Sequence, residues 1–144
     1  MNIPACDNLH LSEAGAEILI PLEQNSNDKG CLFAGSIYSG AILAAYRAAE
    51  RLFAERGLAG ELVAKTASAN YLKRIVSDGT AVATACGEPV CKPNGNHTLT
   101  VTVSVSDSDG AVCAEFTGQF VLLKARNRRT PSACSARSTP RSKL

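Results

Sequence analysis

The chain has 144 residues, of which 45% are hydrophobic and 19% charged, a balance that fits one soluble globular domain and excludes wholesale disorder. Its net charge of +2 is unevenly distributed. Residues 125–144 hold 6 basic and no acidic groups, whereas residues 1–124 hold 9 basic and 13 acidic groups, a net charge of −4. This distribution argues against a basic face on the folded part, so no nucleic-acid partner is expected.

Six cysteines, at positions 6, 31, 86, 91, 113 and 134, would suit a disulfide framework only in an oxidising compartment. The N-terminus shows no basic segment followed by an apolar run, and no stretch reaches the roughly 18 apolar residues that a membrane span needs. We therefore expect reduced thiols, a cytoplasmic protein and no membrane span.

The first elements of the chain are short. Residues 1–12 have only scattered apolar positions and predict no regular element beyond a short turn. The segment AEILIPL at residues 16–22 predicts a strand, whose end Pro21 displaces to a sheet edge or a bulge. A polar loop that begins at Asn25 follows and leads directly into a long apolar segment.

Residues 33–56 predict one long helix, because Ala, Leu, Ile, Arg and Glu dominate and proline is absent. The first half is apolar almost all round, which indicates burial on most faces, and the second half has one charged side. Gly57 is suited to the C-terminal cap. The helix start presents unpaired backbone N–H groups and the positive end of the helix dipole, a place to hold a carbonyl oxygen or an anion.

Four later runs, at residues 61–72, 80–90, 97–107 and 111–123, are rich in Val, Thr, Ala and Leu and predict strands. Turn signals separate them, and the connections are too short for helical crossovers, so the sheet is predicted to be antiparallel. One buried helix beside one sheet is best covered if the sheet curls around it. A partner subunit is expected to complete the burial and to pair exposed strand edges.

The composition changes near residue 125 to Arg, Ser, Thr and Pro, which predicts one domain at 1–124 and a flexible basic tail at 125–144. The last three residues, Ser142, Lys143 and Leu144, match a peroxisomal targeting signal. The alternative is a chance match in a tail rich in Ser, Lys and Arg. The peroxisomal matrix is therefore expected only if the source is eukaryotic.

The order of elements resembles the hotdog fold, an α+β fold in which a five-stranded antiparallel sheet wraps one long central helix and the dimer builds thioester sites at its interface. A first motif is similar to the putative thioesterase family of the YiiD C-terminal type. It comprises Asn27, Asp28, Lys29, Gly30, Phe33, Gly35 and Ser36. A second motif, residues 70–73 with Gly79, is similar to the strand that hotdog enzymes place opposite the helix. The resemblance covers roughly residues 13–124.

The chain departs from many hotdog thioesterases at the residues that usually support hydrolysis. Those enzymes carry His-Gly-Gly at the end of the first motif and an Asp or Glu about two helical turns later. Here Phe33 and Ala34 occupy the positions of the histidine and its neighbour, and residues 32–49 contain no acid. Ile42 and Leu43 stand where that acid is expected. The familiar carboxylate route to hydrolysis therefore has no obvious agent on the helix.

The candidate site follows from this resemblance and from thioester chemistry. Amides at a helix start stabilise an oxyanion or enolate, an asparagine can orient water or hold a carbonyl, and a desolvated carboxylate can act as a base. The predicted catalytic residues are Asn27, Asp28, Gly35 and Ser36. The predicted substrate-binding residues are Asn25, Phe33, Tyr38, Ser39, Asn70, Tyr71, Lys73 and Arg74.

Structural alternatives stand beside these roles. Asn27 and Asp28 are typical of an Asx turn or a helix-entry cap, and Gly35 with Ser36 suits the start of a tightly packed helix. Tyr38 and Ser39 could equally pack at a dimer interface. The basic residues Lys29, Lys73 and Arg74 could meet the phosphates of coenzyme A or phosphopantetheine, or form a solvated edge.

The thiols predict neither a nucleophile nor a metal site. Cys31 lies at the helix entrance, where thiolates are favoured, but its apolar neighbours and the lack of a nearby histidine predict a buried small side chain. Cys86, Cys91 and His97 lack a fourth zinc ligand. We expect no metal and no cofactor.

Three functions remain open. The resemblance favours an acyl-thioesterase acting on acyl-CoA or acyl carrier protein. A malonyl-thioester decarboxylase that feeds fatty acid synthesis initiation, an activity known among relatives, needs an enolate-stabilising pocket but no water-activating base. The third possibility is a non-catalytic dimer that binds acyl thioesters. The expected assembly is a homodimer or a dimer of dimers.

Overall fold

The structure of the protein, a computed structural model, describes residues 9–14 and 16–125. Two helices and six strands lie within these ranges. The helices are α1 (Leu22–Asn25) and α2 (Ala34–Glu55), and the strands are β1 (Ser12–Ala14), β2 (Glu17–Ile20), β3 (Gly60–Tyr71), β4 (Gly79–Cys91), β5 (His97–Ser106) and β6 (Val112–Lys124). The predicted targeting tripeptide and all but the first residue of the predicted tail lie outside the described residues.

All six strands form one antiparallel sheet in the order β1-β2-β4-β5-β6-β3. The predicted α+β hotdog arrangement is confirmed, but the predicted count of five strands is wrong. The additional strand is β1, whose three residues pair with β2 from Ser12 opposite Leu19 to Ala14 opposite Glu17. A strand this short has no room for a period-two pattern, so the sequence carried no sign of it.

The short helix α1 was also not predicted, because it depends on a contact that is distant in the chain. The N–H of Leu22 at the start of α1 donates to the carboxylate of Asp78, at 2.9 Å. That carboxylate lies 56 residues further along the sequence. The predicted strand at 16–22 therefore ends earlier, at Ile20.

The sheet curls around α2, and alternate residues of each central strand form the core. Leu99, Val101, Val103 and Val105 of β5 are all buried on the side that faces the helix. Two aromatic pairs join α2 to β6 in edge-to-face geometry, with ring centroids 5.4 Å apart for Tyr38–Phe116 and 6.3 Å apart for Tyr46–Phe120. The helix α2 thus packs against β6 at two places, at Tyr38 and at Tyr46.

A glycine allows the close approach of α2 to the start of the sheet. A Cβ atom on Gly40 would lie 2.5 Å from the side chain of Ile20, which is fully buried. A larger residue at this position would require the buried side chain of Ile20, or the elements that carry the two residues, to shift.

An ion pair fixes the other end of α2. Arg56, the residue after the helix, donates Nε and Nη2 to the two carboxylate oxygens of Glu88, at 2.5 and 2.7 Å. Glu88 lies in β4 where the pairing with β5 is interrupted by a bulge between Cys86 and Val90. The hydrogen bond from Arg56 is the main cause that lowers the pKa of Glu88.

We expect Glu88→Gln to weaken the pH dependence of stability in acid. A carboxylate whose pKa is lowered by folding stabilises the protein above its unfolded pKa, and this contribution is lost as the pH falls through the folded value. The wild type should therefore lose stability more steeply than the variant from about pH 5 downward. Urea unfolding across this range checks the difference. Glu23→Gln is the control, because Glu23 is exposed and forms no ion pair within the described residues. Equal pH slopes for wild type and Glu88→Gln would contradict the prediction.

Candidate functional site

The polar loop before α2 is organised around the side chain of Asn27. Its Oδ1 accepts hydrogen bonds from the backbone N–H groups of Lys29 and Cys31, at 2.8 and 3.0 Å. Its own backbone N–H donates to the carbonyl of Cys31 at 2.7 Å. These bonds identify Oδ1 as the bound end of the amide, so the Nδ2 group points away from the loop. Nδ2 has no hydrogen-bond partner among the described residues, so this donor remains available.

Asn25, two residues earlier, has a different role. Its side chain is buried, and its Nδ2 donates to the carbonyls of Leu9 and Pro21, both at 2.8 Å. Its Oδ1 is a buried oxygen without a hydrogen-bond partner in the part of the chain that the structure describes. The structure therefore places this predicted substrate-binding residue in the interior, where it holds the N-terminal segment against the loop.

The start of α2 leaves two backbone N–H groups without partners. No side chain caps the helix. The N–H groups of Ser36 and Ile37 donate to the carbonyl of Phe33, at 3.0 and 3.1 Å, whereas those of Ala34 and Gly35 have no acceptor within residues 9–14 and 16–125. Of the two amides expected from the sequence, that of Gly35 is free and that of Ser36 is occupied. The free amide of Ala34 was missed, since no residue type reveals how a helix start is bonded.

The loop and the helix start lie side by side. The backbone N–H of Phe33 donates to the carbonyl of Asn25 at 2.8 Å, and a β-bridge joins Ser26 to Leu32. Residues 25–27 thus run antiparallel to the segment that enters the helix. Asn27 therefore lies opposite Cys31, three residues before the first helical residue, Ala34.

An exposed aromatic ring lies beside Gly35. Phe33 is 56% exposed, and its ring lies over Gly35, where an added Cβ atom would be 2.5 Å from the ring. The absence of a side chain at Gly35 therefore lets the ring lie against the helix backbone. The result is an apolar surface directly beside two hydrogen-bond donors.

Two tyrosines complete the region. The hydroxyl of Tyr71, at the end of β3, donates to the carbonyl of Ala34 at 3.0 Å. Burial, and then the proximity of Tyr38, raises the pKa of Tyr71, so its phenol stays protonated. The hydroxyl of Ser39 donates to the carbonyl of Gly35 at 2.9 Å and is occupied within the helix. Phe33, Tyr38 and Tyr71 thus gather where the sequence predicted substrate contacts.

We expect Tyr71→Phe to lower the free energy of unfolding by about 0.5–1 kcal/mol, because it removes one hydrogen bond from a side chain that is about half exposed. Chemical denaturation measures the change. Tyr38→Phe is the matched control, since its hydroxyl makes no hydrogen bond to a described residue. Equal losses in both variants would show that the bond to Ala34 does not stabilise the helix start.

Asn70 lies on the opposite face of β3 from Tyr71. Successive side chains of a strand point to opposite faces of the sheet. Tyr71 is paired with Ala114, which is buried on the helix side, and Asn70 is paired with the exposed Glu115. Asn70, Ser68 and Glu115 line a shallow polar concavity of about 350 Å³ on the outer face. The structure does not bring Asn70 to the helix start.

The predicted charged residues are solvated. The Asp28 side chain is 87% exposed and lies 3.7 Å from the Nζ of Lys29. Its carboxylate thus lies in open solvent within this chain, outside the desolvated setting that a general base needs.

Lys73 and Arg74 follow β3 in a loop that is anchored to the helix entrance through the N–H of Leu32, which donates to the carbonyl of Ile75 at 2.8 Å. Arg74 is exposed and forms no ion pair within the described ranges. The charge of Lys73 lies near Asp107, whose pKa is lowered chiefly by the backbone N–H of Ala111 and, as a minor cause, by Lys73. Lys73 is exposed as well, and it too forms no ion pair with a described residue.

The four cysteines among the described residues form no disulfide. Cys31 is buried at the helix entrance, as expected, and Cys86 and Cys91 are exposed. Across the described ranges, no three His, Cys, Asp or Glu side chains come close enough to hold a metal ion. None of the described helices is long and apolar enough to span a membrane.

Comparisons with known proteins agree with the fold. The family model described as "Putative thioesterase (yiiD_Cterm)" matches residues 8–124. No curated protein sequence matches the chain. Among solved structures, a putative thioesterase from Shewanella oneidensis is 21% identical with a TM-score of 0.74, covering 85% of this chain and 89% of its own.

Two further structures are similar. A thioesterase from Haemophilus influenzae is 17% identical with a TM-score of 0.70, covering 87% of each chain. A protein from Bacillus halodurans, solved with CoA, is 17% identical with a TM-score of 0.67, covering 85% of this chain and 78% of its own. At these identities the likeness shows the shared fold.

Proposed function

Because the chain belongs to the putative thioesterase family of the YiiD C-terminal type, we propose that it binds acyl thioesters at the start of α2 and hydrolyses them. The observation that carries the proposal is the set of free donors there: the N–H groups of Ala34 and Gly35 and the Nδ2 group of Asn27. The carrier is proposed to be coenzyme A or an acyl carrier protein. The Bacillus halodurans protein, which shares this fold, was solved with CoA.

In the proposed reaction, water adds to the carbonyl carbon of the thioester, and the carbonyl oxygen takes up negative charge. The free donors stabilise this oxyanion more than they stabilise the neutral carbonyl, so they lower the barrier. The attacking water loses a proton to the solvent, and collapse of the intermediate breaks the carbon–sulfur bond. The thiolate leaves with the electron pair of that bond and takes up a proton from the solvent, so that the carboxylic acid and the thiol are released. The exposed ring of Phe33 offers an apolar surface beside Gly35, against which the acyl chain would pack.

A panel of acyl-CoA and acyl carrier protein substrates tests the proposal. Mass spectrometry identifies the products, and a thiol reagent measures the rate of release. Formation of the free acid together with the free thiol is the expected result. If every thioester binds and none turns over, the protein is the non-catalytic acyl-binding dimer instead.

A second candidate reaction is favoured by the missing acid. Residues 32–49 of the helix entrance and helix contain no carboxylate, and Asp28 lies in solvent. Loss of carbon dioxide from a malonyl thioester needs no water-activating base, because the departing carboxylate leaves its electrons in an enolate that the same donors stabilise. Protonation of the enolate carbon then yields the acetyl thioester. Release of malonate without acetyl thioester would exclude this reaction.

We further propose that the protein works as a homodimer or a dimer of dimers. The strand β3 is a 12-residue edge of the sheet, and such edges are usually paired or blocked. Large apolar side chains are exposed beside it, namely Phe33, Tyr71, Leu72 and Val76. Sedimentation velocity at micromolar concentration should show at least twice the mass of one chain. A monomer under these conditions would contradict the proposal.

A further inference from the structure

A second polar concavity lies far from the helix start. It has a volume of about 500 Å³ and lies at the hairpin that joins β4 to β5, on the outer face of the sheet. Val121 of β6 forms part of it. Seven residues separate Val121 from Ala114, the partner of Tyr71, and seven strand residues span about 23 Å. The hairpin pocket is therefore distinct from the thioester site.

Lysines supply the charge of the hairpin pocket. Lys65 and Lys92 line it, and Lys65 occupies a bulge in β3 that interrupts the pairing with β6. Neither lysine forms an ion pair with a described residue. A third lysine, Lys124, borders the hairpin, since a Cβ atom on Gly95 would lie 3.5 Å from its Nζ.

The lining of the pocket contains no carboxylate. The positive charge of the pocket contrasts with residues 9–125 as a whole, which carry 9 basic and 12 acidic groups, a net charge of 9 − 12 = −3. The pocket thus has an excess of positive charge although the described part of the chain is negative overall. Such an excess favours binding of an anion at the pocket rather than elsewhere on the surface.

Two asparagines of the hairpin add hydrogen-bond donors. The Oδ1 of Asn94 accepts from the backbone N–H of Asn96 at 2.9 Å, and the Oδ1 of Asn96 accepts from the backbone N–H of Lys124 at 2.8 Å. Both oxygens are therefore occupied, and each Nδ2 group remains to donate. Backbone bonds between Lys92 and Asn96 and between Gly95 and Lys92 keep the hairpin in this shape.

We propose that the hairpin pocket binds the phosphate group of a small organic phosphate. Lysine ammonium groups and amide donors match the charge and the acceptor oxygens of a phosphate. The concavity is open to solvent, and its volume of about 500 Å³ leaves room for an organic group beside a phosphate. Pro93 and Val121 provide apolar surface for the organic part. The proposal does not depend on the thioester activity.

Titrations of the full chain followed by backbone amide NMR test the proposal with three probes at low salt: inorganic phosphate, adenosine 3′,5′-bisphosphate and coenzyme A. We expect the signals of Gly95 and Asn96 to shift at millimolar or lower probe concentration. Tighter binding of the bisphosphate and of coenzyme A than of inorganic phosphate identifies a nucleotide-type ligand. Equal affinity for all three identifies a site for the anion alone and would overturn the proposed contacts of Pro93 and Val121 with an organic group.

Asn94→Asp is the sharpest variant, because the new carboxylate keeps the acceptor bond to Asn96 but replaces a donor with negative charge. It should weaken binding of the bisphosphate by tenfold or more, and Lys92→Gln should weaken it about tenfold. Arg51→Gln removes one exposed charge of α2 that forms no described ion pair, and it should leave the affinity unchanged. Thermal unfolding confirms that each variant is folded.

Two results would overturn the proposal. One is the absence of hairpin shifts with all three probes. The other is an affinity that Asn94→Asp and Lys92→Gln leave unchanged. If coenzyme A shifts only the amides of Ala34 and Gly35, the hairpin pocket is not a phosphate site, and the thioester site stands. If the hairpin responds and no thioester is turned over, the phosphate site stands without the proposed activity.

Discussion

Asn27→Asp should reduce kcat/KM for thioester hydrolysis by about 100-fold or more while leaving the protein folded. The variant keeps the two hydrogen bonds from Lys29 and Cys31, because a carboxylate oxygen accepts them as the amide oxygen does. It removes the Nδ2 donor and places negative charge where the oxyanion forms. Loss of one oxyanion donor typically costs a factor of 100 to 1,000.

Steady-state kinetics and thermal unfolding of the same preparation separate the two effects. Gln119→Glu is a matched control, because it makes the same chemical change on the outer face of β6, where Gln119 pairs with Thr66 and Thr100. The control should retain wild-type turnover. Turnover of Asn27→Asp within threefold of wild type would show that Asn27 does not contact the reacting carbonyl.

Asn25→Asp, unlike Asn27→Asp, should destabilise the fold. We expect a loss of about 3–5 kcal/mol in the free energy of unfolding at neutral pH. The side chain is 3% exposed, and its Nδ2 donates to two backbone carbonyls. A carboxylate there would be buried without a partner and would face the oxygens of Leu9 and Pro21. The charge, the lost bonds and the repulsion all act against folding.

Urea unfolding at pH 7 measures this loss. Stability should recover partly in acid, because the protonated carboxyl is neutral and can donate one of the two lost hydrogen bonds. Asn25→Ala, which leaves the two carbonyls unpaired without adding charge, should cost about 1–3 kcal/mol. Similar stabilities for Asn25→Asp and Asn27→Asp would contradict the distinction between the two asparagines.

The main elements of the fold could be predicted because their signals are local. The composition of residues 33–56 predicted α2, which runs from Ala34 to Glu55, and the alternation from Leu99 to Val105 predicted β5 and its buried face. The helix α1 escaped prediction because its start is bonded to Asp78, far along the chain. Contacts between distant segments leave no periodic trace in a sequence.

The contacts of the candidate site residues could not be predicted from the sequence. Asn25 and Asn27 are the same residue type, so the sequence does not distinguish them. In the structure, the Nδ2 group of Asn25 donates to two backbone carbonyls, whereas the Oδ1 atom of Asn27 accepts from two backbone amides and leaves Nδ2 unbonded among the described residues. Similarly, Asn70 and Tyr71 are neighbours whose pairing with β6 turns them to opposite faces of the sheet. Such differences arise only when the strands are in register.

The donors at the helix start also determine how the site responds to acidity. Backbone and asparagine amides carry no charge that changes near neutral pH, and the pKa of Tyr71, already alkaline, is raised further. A site built from these groups keeps one charge state from mildly acid to mildly alkaline solution. Hydrogen bonding of the proposed site to a thioester oxygen would therefore change little between compartments that differ in pH. In an enzyme that relies on a histidine, the imidazole would lose or gain a proton over the same range.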